Sequence, residues 1–318
     1  MHFTFRSVLV QVLLASLVTA VSLALPTFLA AQDVASLTGV VTDSSGAVVP
    51  DVNVQLVDTK TNARFETKTN SVGAYIFPKV LPGPGYQLNL SKEGFASQTI
   101  RNIYLGVDTT HTQNARLQVG QATQTVEVNG SGSQVSLDTT DTAVSTILDM
   151  GMVHELPLAT RDNPLGLLVY SPGVTSAMQA GDDNTLGSRD GAVTGARGDQ
   201  SNYTLDGLDT NDFGTGTAGV MTANAPIDSV QEMRTETANP LSAEGRGSGA
   251  QVQMITKSGT NSWHGSAYEY NRTAATTAND FFNNRQTPVI PRPPLTRNQF
   301  GASLGGPAKK DKLFFCFN

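Results

Sequence analysis

Short stretches in which apolar and polar residues alternate recur along most of the chain, separated by turn-forming residues. The run Val52–Val57 shows the pattern clearly, because its apolar residues alternate with Asn53 and Gln55. A period of two residues between turn signals predicts short β-strands. Similar runs follow closely at 37–42, 64–69, 73–77, 86–90, 99–105 and 113–117. About seven short strands at this spacing predict a β-sandwich.

The amino-terminal residues have the layout of a secretory signal peptide. Arg6 precedes an apolar run, Val8–Leu25, and Pro26 and the small residues near Ala31 follow it. We expect residues 1–31 to be a signal peptide that is cleaved after Ala31. An uncleaved membrane anchor is the alternative, since the apolar run approaches the length that spans a bilayer. Both interpretations predict an exported protein.

The middle of the chain mixes short helical signals with strand-like runs. Asp149 is a predicted N-cap for a short helix that ends at Glu155, because its carboxylate can accept from free backbone amides. Pro164 suits the first position of a second helical stretch, which ends at Tyr170. Alternating runs predict strands at 140–148 and 250–255. This part of the chain is therefore predicted to be an α+β domain.

The run Trp263–Tyr270 places aromatic residues beside small or polar ones. A membrane β-strand has this pattern, since one face meets lipid and the other a wet lumen. Further strands are predicted at 299–305 and 313–317. A receptor barrel of roughly 22 strands needs several hundred residues more, and an open sheet cannot lie in lipid with unpaired edges. We therefore expect the chain to be the truncated beginning of a transmembrane β-barrel protein.

Composition and charge narrow the class of protein further. The hydrophobic fraction of 39% and the charged fraction of 15% are low, as in β-rich secreted or outer-membrane chains. The net charge is −6 and the basic residues are scattered, so no nucleic-acid partner is expected. Cys316 is the single cysteine, so no internal disulfide can form.

The segments GVVTDSSGAVVPDVNVQL and TNSVGAYIFPKVLPGPGYQLNLSKEGF resemble the carboxypeptidase-regulatory-like family. The resemblance implies a transthyretin-like sandwich at 32–120. Its aromatic residues are expected to pack in the core rather than to form a sugar platform, because aromatics at strand spacing usually pack. None of the four histidines has the Glu spacing of a zinc carboxypeptidase, so we expect no catalytic residue, metal or cofactor.

The segments LPLATRDNPLGLLVYSPGV, GAVTGARGDQSNYTLDGLDTND and PIDSVQEMRTETANPL are similar to the plug-to-barrel junction of TonB-dependent outer-membrane receptors of the Oar-like group. This resemblance implies a plug domain at 136–258 and the start of a barrel at 259–318. Residues 121–135 would form a linker. The predicted fold is thus mostly β: a seven-stranded sandwich, an α+β plug domain and the first strands of a truncated barrel.

Two sets of residues are candidates for function within that fold. The resemblance makes Thr125, Val126, Glu127 and Val128 a candidate TonB box, a strand-prone peptide that can add to the edge of a partner's sheet. The alternative is that these residues form the last sandwich strand. We also expect four arginines of the plug to bind carboxylates on the barrel wall, because a guanidinium group can bind a carboxylate through a pair of hydrogen bonds. These arginines are Arg161, Arg197, Arg234 and Arg246.

The function implied is uptake of an extracellular substrate across the outer membrane, powered through the TonB–ExbB–ExbD system and in contact with outer-membrane lipid. Carbohydrates, peptides and metal chelates are the substrate classes considered. The alternative is a secreted or periplasmic β-sandwich module that adheres to surfaces or binds carbohydrate without transport. An aromatic membrane strand after residue 262 favours the receptor, and affinity of a soluble product for glycans would favour the module.

Overall fold

A computed structural model describes residues 33–120, 125–129, 142–156, 158, 161, 164–175, 192–196, 200–211, 225–240 and 247–318. Over these residues the protein is mostly β, as predicted. No helix in the described ranges is long and apolar enough to cross a membrane. The predicted signal peptide lies outside the described residues.

The first folded part is a β-sandwich of two sheets. Its strands are β1 (Ala35–Thr42), β2 (Asn53–Asp58), β3 (Arg64–Lys68), β4 (Ala74–Val80), β5 (Gly83–Ser91), β6 (Ser97–Leu105), β7 (Thr110–Thr112), β8 (Ala115–Arg116) and β9 (Thr125–Asn129). One sheet has the order β4-β1-β7, with β8 also paired to β1, and the other has the order β3-β2-β5-β6-β9.

The strands of the sandwich differ from the seven predicted ones after β6, near the end of the domain. The strand expected at 113–117 is shorter and consists of β8 alone, and an additional short strand, β7, precedes it; both run parallel to β1. Between them the side-chain oxygen of Asn114 accepts from the Val40 backbone N–H at 2.9 Å, in place of a backbone carbonyl. The strand ladder is therefore interrupted there. The segment at 125–129 adds β9 to the other sheet.

The sandwich core consists of the inward-facing residues that the alternation predicts. Val54 and Leu56 are buried on β2, while Asn53 on the same strand is exposed. Tyr75, Phe77 and Tyr86 are also buried in this core, and Phe95 packs against it. This arrangement confirms the expectation that the aromatic residues are core residues, because none of these rings forms an exposed platform.

Gly39 is the position where the sandwich tolerates no side chain. A Cβ there would overlap the carbonyl oxygen of Gln113 and lie 2.8 Å from the Tyr75 hydroxyl oxygen. These two groups are themselves hydrogen-bonded, since the Tyr75 hydroxyl donates to the Gln113 carbonyl at 2.5 Å. The Gln113 backbone and the Tyr75 hydroxyl can therefore approach each other next to Gly39 only because this residue has no Cβ.

The central part of the chain forms one five-stranded sheet with short helices. Its elements are β10 (Val144–Asp149), α1 (Met150–Glu155), a 3-10 helix (Pro164–Tyr170), β11 (Val174–Thr175), β12 (Ala192–Val193), β13 (Asn202–Leu205), β14 (Leu208–Asp209), a 3-10 helix (Ile227–Ser229), β15 (Val230–Ala238) and β16 (Gln251–Thr256). The order of what we call the central sheet is β10-β15-β16-β13-β14. β15 is antiparallel to both neighbours, and β13 is parallel to β16.

The helices of this part follow the predicted signals. Asp149 caps α1, since its Oδ1 accepts from the Met152 backbone N–H at 2.8 Å. Pro164 begins the second helical stretch, which is a 3-10 helix and buries Leu165, Leu167 and Leu168. These leucines join the core beneath the central sheet together with Met233 and Met254.

The last part is a three-stranded antiparallel meander, which we call the terminal sheet. It comprises β17 (His264–Thr273), a 3-10 helix (Ala274–Thr276), α2 (Phe281–Arg285), β18 (Thr296–Lys309) and β19 (Leu313–Phe317), in the order β17-β18-β19. One of its faces exposes large apolar side chains, with Phe300 at 81% and Phe317 at 72% of full exposure, and it also carries the exposed Glu269, which is paired with Phe300. Trp263 stacks edge-on against Phe315 at 5.5 Å between ring centroids.

The two tyrosines of β17 show which face of the terminal sheet is internal. The sequence predicted two different faces for this strand but did not assign Tyr268 and Tyr270 to either of them. Because residues paired across antiparallel strands share a face, the pairing of Tyr268 with Gly301 places both tyrosines opposite Phe300. Tyr270 instead contacts the central part of the chain. The alternation is correct, and the tyrosines occupy the inner face.

We predict that Gly39→Ala destabilises the sandwich by about 1–3 kcal/mol or more, because the new methyl group must displace the Gln113 carbonyl or the Tyr75 ring. Gly166→Ala is the control, since nothing lies within 4 Å of its added Cβ. Urea unfolding of both variants measures the difference. Equal unfolding midpoints would contradict the close approach at Gly39.

Candidate functional site

The candidate TonB box lies in β9, at the end of the second sandwich sheet. β9 pairs with β6 in parallel, and Thr125 is opposite Ser97 while Glu127 is opposite Thr99. Among the described side chains of this pair of strands, Arg101 and Glu127 form an ion pair at 2.7 Å, and both are at least half exposed. The structure thus places this segment as a sandwich strand, and its role as a TonB box stays a prediction.

The contact between the sandwich and the central sheet is polar and buried. β15 supplies most of it, and nearly all its residues are buried although several are charged or polar, namely Glu232, Arg234, Thr235, Glu236 and Thr237. Neighbouring β16 adds Gln251 and Gln253. Buried polar groups are costly unless they are hydrogen-bonded. The partners of these side chains therefore decide how the two parts fit together.

Glu232 is the centre of this contact because both of its carboxylate oxygens bind the sandwich. Oε2 accepts from the Tyr104 hydroxyl at 2.6 Å, and Oε1 accepts from the Val107 backbone N–H at 2.7 Å. Burial raises the pKa of Glu232, and the bonds from Tyr104 and Val107 oppose that rise. The same burial and the neighbouring carboxylate raise the pKa of Tyr104. Tyr104 and Glu232 are therefore joined by a short hydrogen bond to a buried carboxylate.

Arg234 lies two residues further along β15 and is only 1% exposed. It forms an ion pair with Glu236 at 2.5 Å, and its guanidinium lies 3.6 Å from the Asp108 carboxylate and donates to the Asp108 carbonyl. The sequence predicted a carboxylate on the barrel wall. The carboxylates that the structure places against Arg234 belong instead to the sandwich and to its own strand, because β15 turns this face toward the sandwich.

Asp33 connects the start of the sandwich to the turn between β13 and β14. Its carboxylate accepts from the Gly207 backbone N–H at 3.1 Å. Burial raises the pKa of Asp33 from 3.8 to about 6, and the nearby carboxylates of Asp108 and Asp206 add to the rise. This aspartate is therefore partly protonated in mildly acidic solution.

Arg161 lies between the central part and the terminal sheet. Its guanidinium donates to the carbonyls of Leu156 and His154 at the end of α1, at 3.3 and 3.4 Å, and covers the Tyr270 ring at 4.7 Å from the centroid. Tyr270 in turn donates to Asp228 Oδ1 at 3.1 Å. Arg161 thus meets the terminal sheet through the Tyr270 ring and through its backbone N–H, which donates to Gln299 Oε1 at 3.3 Å. In the described residues the acceptors of its guanidinium are backbone carbonyls.

Two predicted site residues cannot be placed, and three residues of the observed contact were not predicted. Arg197 and Arg246 lie outside the described residues. Sequence reasoning missed Tyr104, Glu232 and Asp33, which form the sandwich contact. One signal was available: three charged residues at alternating positions of β15 share one face of a strand. A charged face within an otherwise buried strand indicates a polar partner surface.

Two family models match separate parts of the chain. A model described as "Carboxypeptidase regulatory-like domain" matches residues 36–118, and one described as "Outer membrane beta barrel domain" matches residues 255–318. The first range covers β1 to β8 and the second covers the terminal sheet. The sandwich is thus similar to a regulatory-like domain, and the terminal sheet is similar to the start of an outer-membrane barrel domain.

One relative extends the match between those two ranges. The "TonB-dependent transporter Oar" of Myxococcus xanthus is 27% identical over 271 residues, which is 84% of this chain and 25% of that protein. The chain therefore spans a quarter of the length of this relative. These matches confirm the resemblance to TonB-dependent receptors of the Oar-like group. The relative is named as a transporter, in line with the expectation that the chain carries no enzymatic activity.

Solved structures resemble only part of the chain. The catechol 1,2-dioxygenase of Pseudomonas arvilla C-1 covers 29% of this chain and 54% of its own, at 14% identity and a TM-score of 0.25. A putative carbohydrate binding protein from Bacteroides uniformis covers 27% and 41%, at 13% identity and a TM-score of 0.23. Similarity at this level carries no argument about function.

We predict that Tyr104→Phe lowers the free energy of unfolding by about 1.5–3 kcal/mol, because Glu232 loses a hydrogen bond in a buried place. Hydrogen exchange of the β15 amides should also become faster. Tyr86→Phe is the control, since the Tyr86 hydroxyl donates to the Leu81 carbonyl within the sandwich. If both variants leave β15 exchange equally slow, the Glu232 contact does not hold the two parts together.

We predict that Asp33→Asn gains stability relative to the parent protein as pH rises from about 4 to about 6. The pKa of Asp33 is raised on folding from 3.8 to about 6, so its ionisation costs the parent stability across that window. The asparagine oxygen can still accept from Gly207. Urea unfolding at several pH values measures the difference between the two proteins.

Asp43→Asn is the control for that titration. Hydrogen bonds from Ser45 lower the pKa of Asp43, so this substitution should bring no gain between about pH 4 and about pH 6. A difference between Asp33→Asn and the parent that stays constant over this window would contradict the raised pKa of Asp33.

Proposed function

We propose that the chain is part of a TonB-dependent outer-membrane receptor. The observation that carries this proposal is the similarity to a TonB-dependent transporter along 84% of the chain. The central sheet, with its short helices, would be the plug that closes the barrel. The proposed domains are a sandwich at 32–120, a linker at 121–135, a plug at 136–258 and the first barrel strands at 259–318.

The two faces of the terminal sheet support a position in the outer membrane. Phe300, Leu304 and Phe317 lie on one exposed face, as lipid-facing side chains do, and Glu269 is the charged residue paired with Phe300 on the same face. The opposite face carries Tyr270, which contacts Arg161 and Asp228 of the proposed plug. A strand of a plugged barrel has this division, with lipid outside and protein inside. The predicted signal peptide would direct export.

Energy would reach the plug from the TonB–ExbB–ExbD system through β9. A partner can bind an extended segment by adding it to the edge of its own sheet, so that backbone hydrogen bonds supply the affinity. Thr125, Val126, Glu127 and Val128 form such a segment, and they precede the proposed plug in the chain. The proposed cargo is an extracellular carbohydrate, peptide or metal chelate, and no covalent step is required.

A secreted or periplasmic binding module is the second candidate function, and one observation favours it. The outer face of β2, β3 and β5 has a cavity of about 510 Å³ lined mainly by polar side chains, including Asn53, Gln55, Glu66, Lys68 and Asn89. Gln55 donates to Glu66 at 2.8 Å across this face. Amide groups of this kind can bind sugar hydroxyls. Measurable glycan affinity of the protein without TonB-dependent uptake would favour this module.

A proline in β9 tests the receptor proposal. Val126→Pro removes one backbone donor and disfavours pairing in the middle of a strand, so we expect at least a tenfold loss of affinity for the periplasmic domain of TonB. Ser133→Pro, in the linker beyond β9, is the matched control and should bind as the parent does. The detergent-purified protein and immobilised TonB domain provide the measurement. Unchanged affinity of Val126→Pro would refute the assignment of the box.

A further inference from the structure

We propose that the β6 edge of the sandwich is the resting place of the TonB box, and that TonB must take β9 from β6 before it can bind. This inference rests on the proposed function, since it assigns a state to the same strand. It makes the sandwich a competitor for the box. The partner is the edge strand of a periplasmic TonB domain, which offers the same kind of backbone hydrogen bonds as β6.

The observation behind the proposal is that β9 and the candidate box are one segment, and that it is paired along its whole length. Its five residues align in parallel with residues 97–101 of β6. The backbone groups of β9 that face β6 are therefore engaged. A partner strand that uses these same groups has to displace β6.

The described part of the attachment consists of backbone pairing and one exposed ion pair, and both kinds of contact can be exchanged for contacts to another strand. Arg101 and Glu127 form this ion pair, and their side chains are 50% and 60% exposed. Exposed ion pairs contribute little to stability, and parallel pairing is slightly weaker per residue than antiparallel pairing. TonB would replace each backbone bond to β6 by an equivalent bond of its own. The competition lowers the apparent affinity of TonB by the fraction of time that β9 is released.

The same strand that holds β9 also holds the proposed plug. Arg101 of β6 binds Glu127, and three residues further along Tyr104 binds Glu232 of β15. β6 therefore keeps the box at a fixed place beside the plug. The sandwich would hold the box in an extended form that is already suited to strand addition.

A reversible cross-link between β6 and β9 tests the proposal. Thr99→Cys with Glu127→Cys joins two residues that are opposite each other in the parallel register. Gln55→Cys with Asn89→Cys joins β2 to β5 at opposite residues and leaves β9 free, so it is the matched control. Both pairs are made together with Cys316→Ser, because Cys316 is a free thiol. Thiol titration reports whether each disulfide has formed.

The proposal predicts that the oxidised β6–β9 variant binds the immobilised periplasmic TonB domain at least tenfold more weakly than the oxidised control. Reduction with dithiothreitol should restore binding. Equal binding of the two oxidised variants would overturn the proposal, because TonB would then reach β9 by its other edge. A disulfide that forms in the control but not between positions 99 and 127 would also overturn it.

A milder variant tests the same competition without a cross-link. Arg101→Ala removes the ion pair to Glu127, so TonB should bind about one and a half to fivefold more tightly. Arg64→Ala is its control, since Arg64 is an exposed residue of β3 at the far edge of the same sheet. Weaker or unchanged binding of Arg101→Ala relative to this control counts against the proposal. If the reduced parent protein fails to bind TonB at all, the box assignment itself has failed, and the two failures are thereby distinguished.

Discussion

The carboxylate of Glu232 fixes the relation between the sandwich and the central sheet. A carboxylate that is removed from water needs partners for both oxygens, and here both partners come from the sandwich, at 2.6 and 2.7 Å. A small rotation of either part would leave a buried charge without a donor. Two further polar contacts join the sandwich to the central part: Arg234 lies against the Asp108 carboxylate, and Asp33 accepts from the Gly207 backbone N–H. The contact is thus directional in a way that an apolar interface would not be.

Strand alternation and turn chemistry were sufficient to predict most of the sandwich. The buried residues of β2 and the aromatic core followed directly from the period of two. The short length of the seventh predicted strand could not be predicted in the same way. It depends on the side chain of Asn114, which replaces a backbone acceptor opposite Val40. Substitution of a side chain for a backbone group has no signature in a hydrophobic pattern.

The candidate site was harder to predict because its contacts join residues that are far apart in the chain. Tyr104 and Glu232 are 128 positions apart, and nothing local to either residue identifies the other. The four predicted arginines show the same limit. Their chemistry suggested carboxylates, and Arg234 does meet carboxylates, but the fold decides that Asp108 supplies one of them. Likewise, the alternation of β17 predicted two faces, whereas the position of Asp228 decides which face is internal.

The parallel alignment of β9 with β6 has a mechanical consequence. A tension applied along the axis of β9 loads all its inter-strand hydrogen bonds at once, in shear. A tension applied across the axis opens them one after another, like a zipper, and needs much less force. The direction from which a partner pulls would therefore determine whether β9 transmits the force to the sandwich or separates from β6 one hydrogen bond at a time.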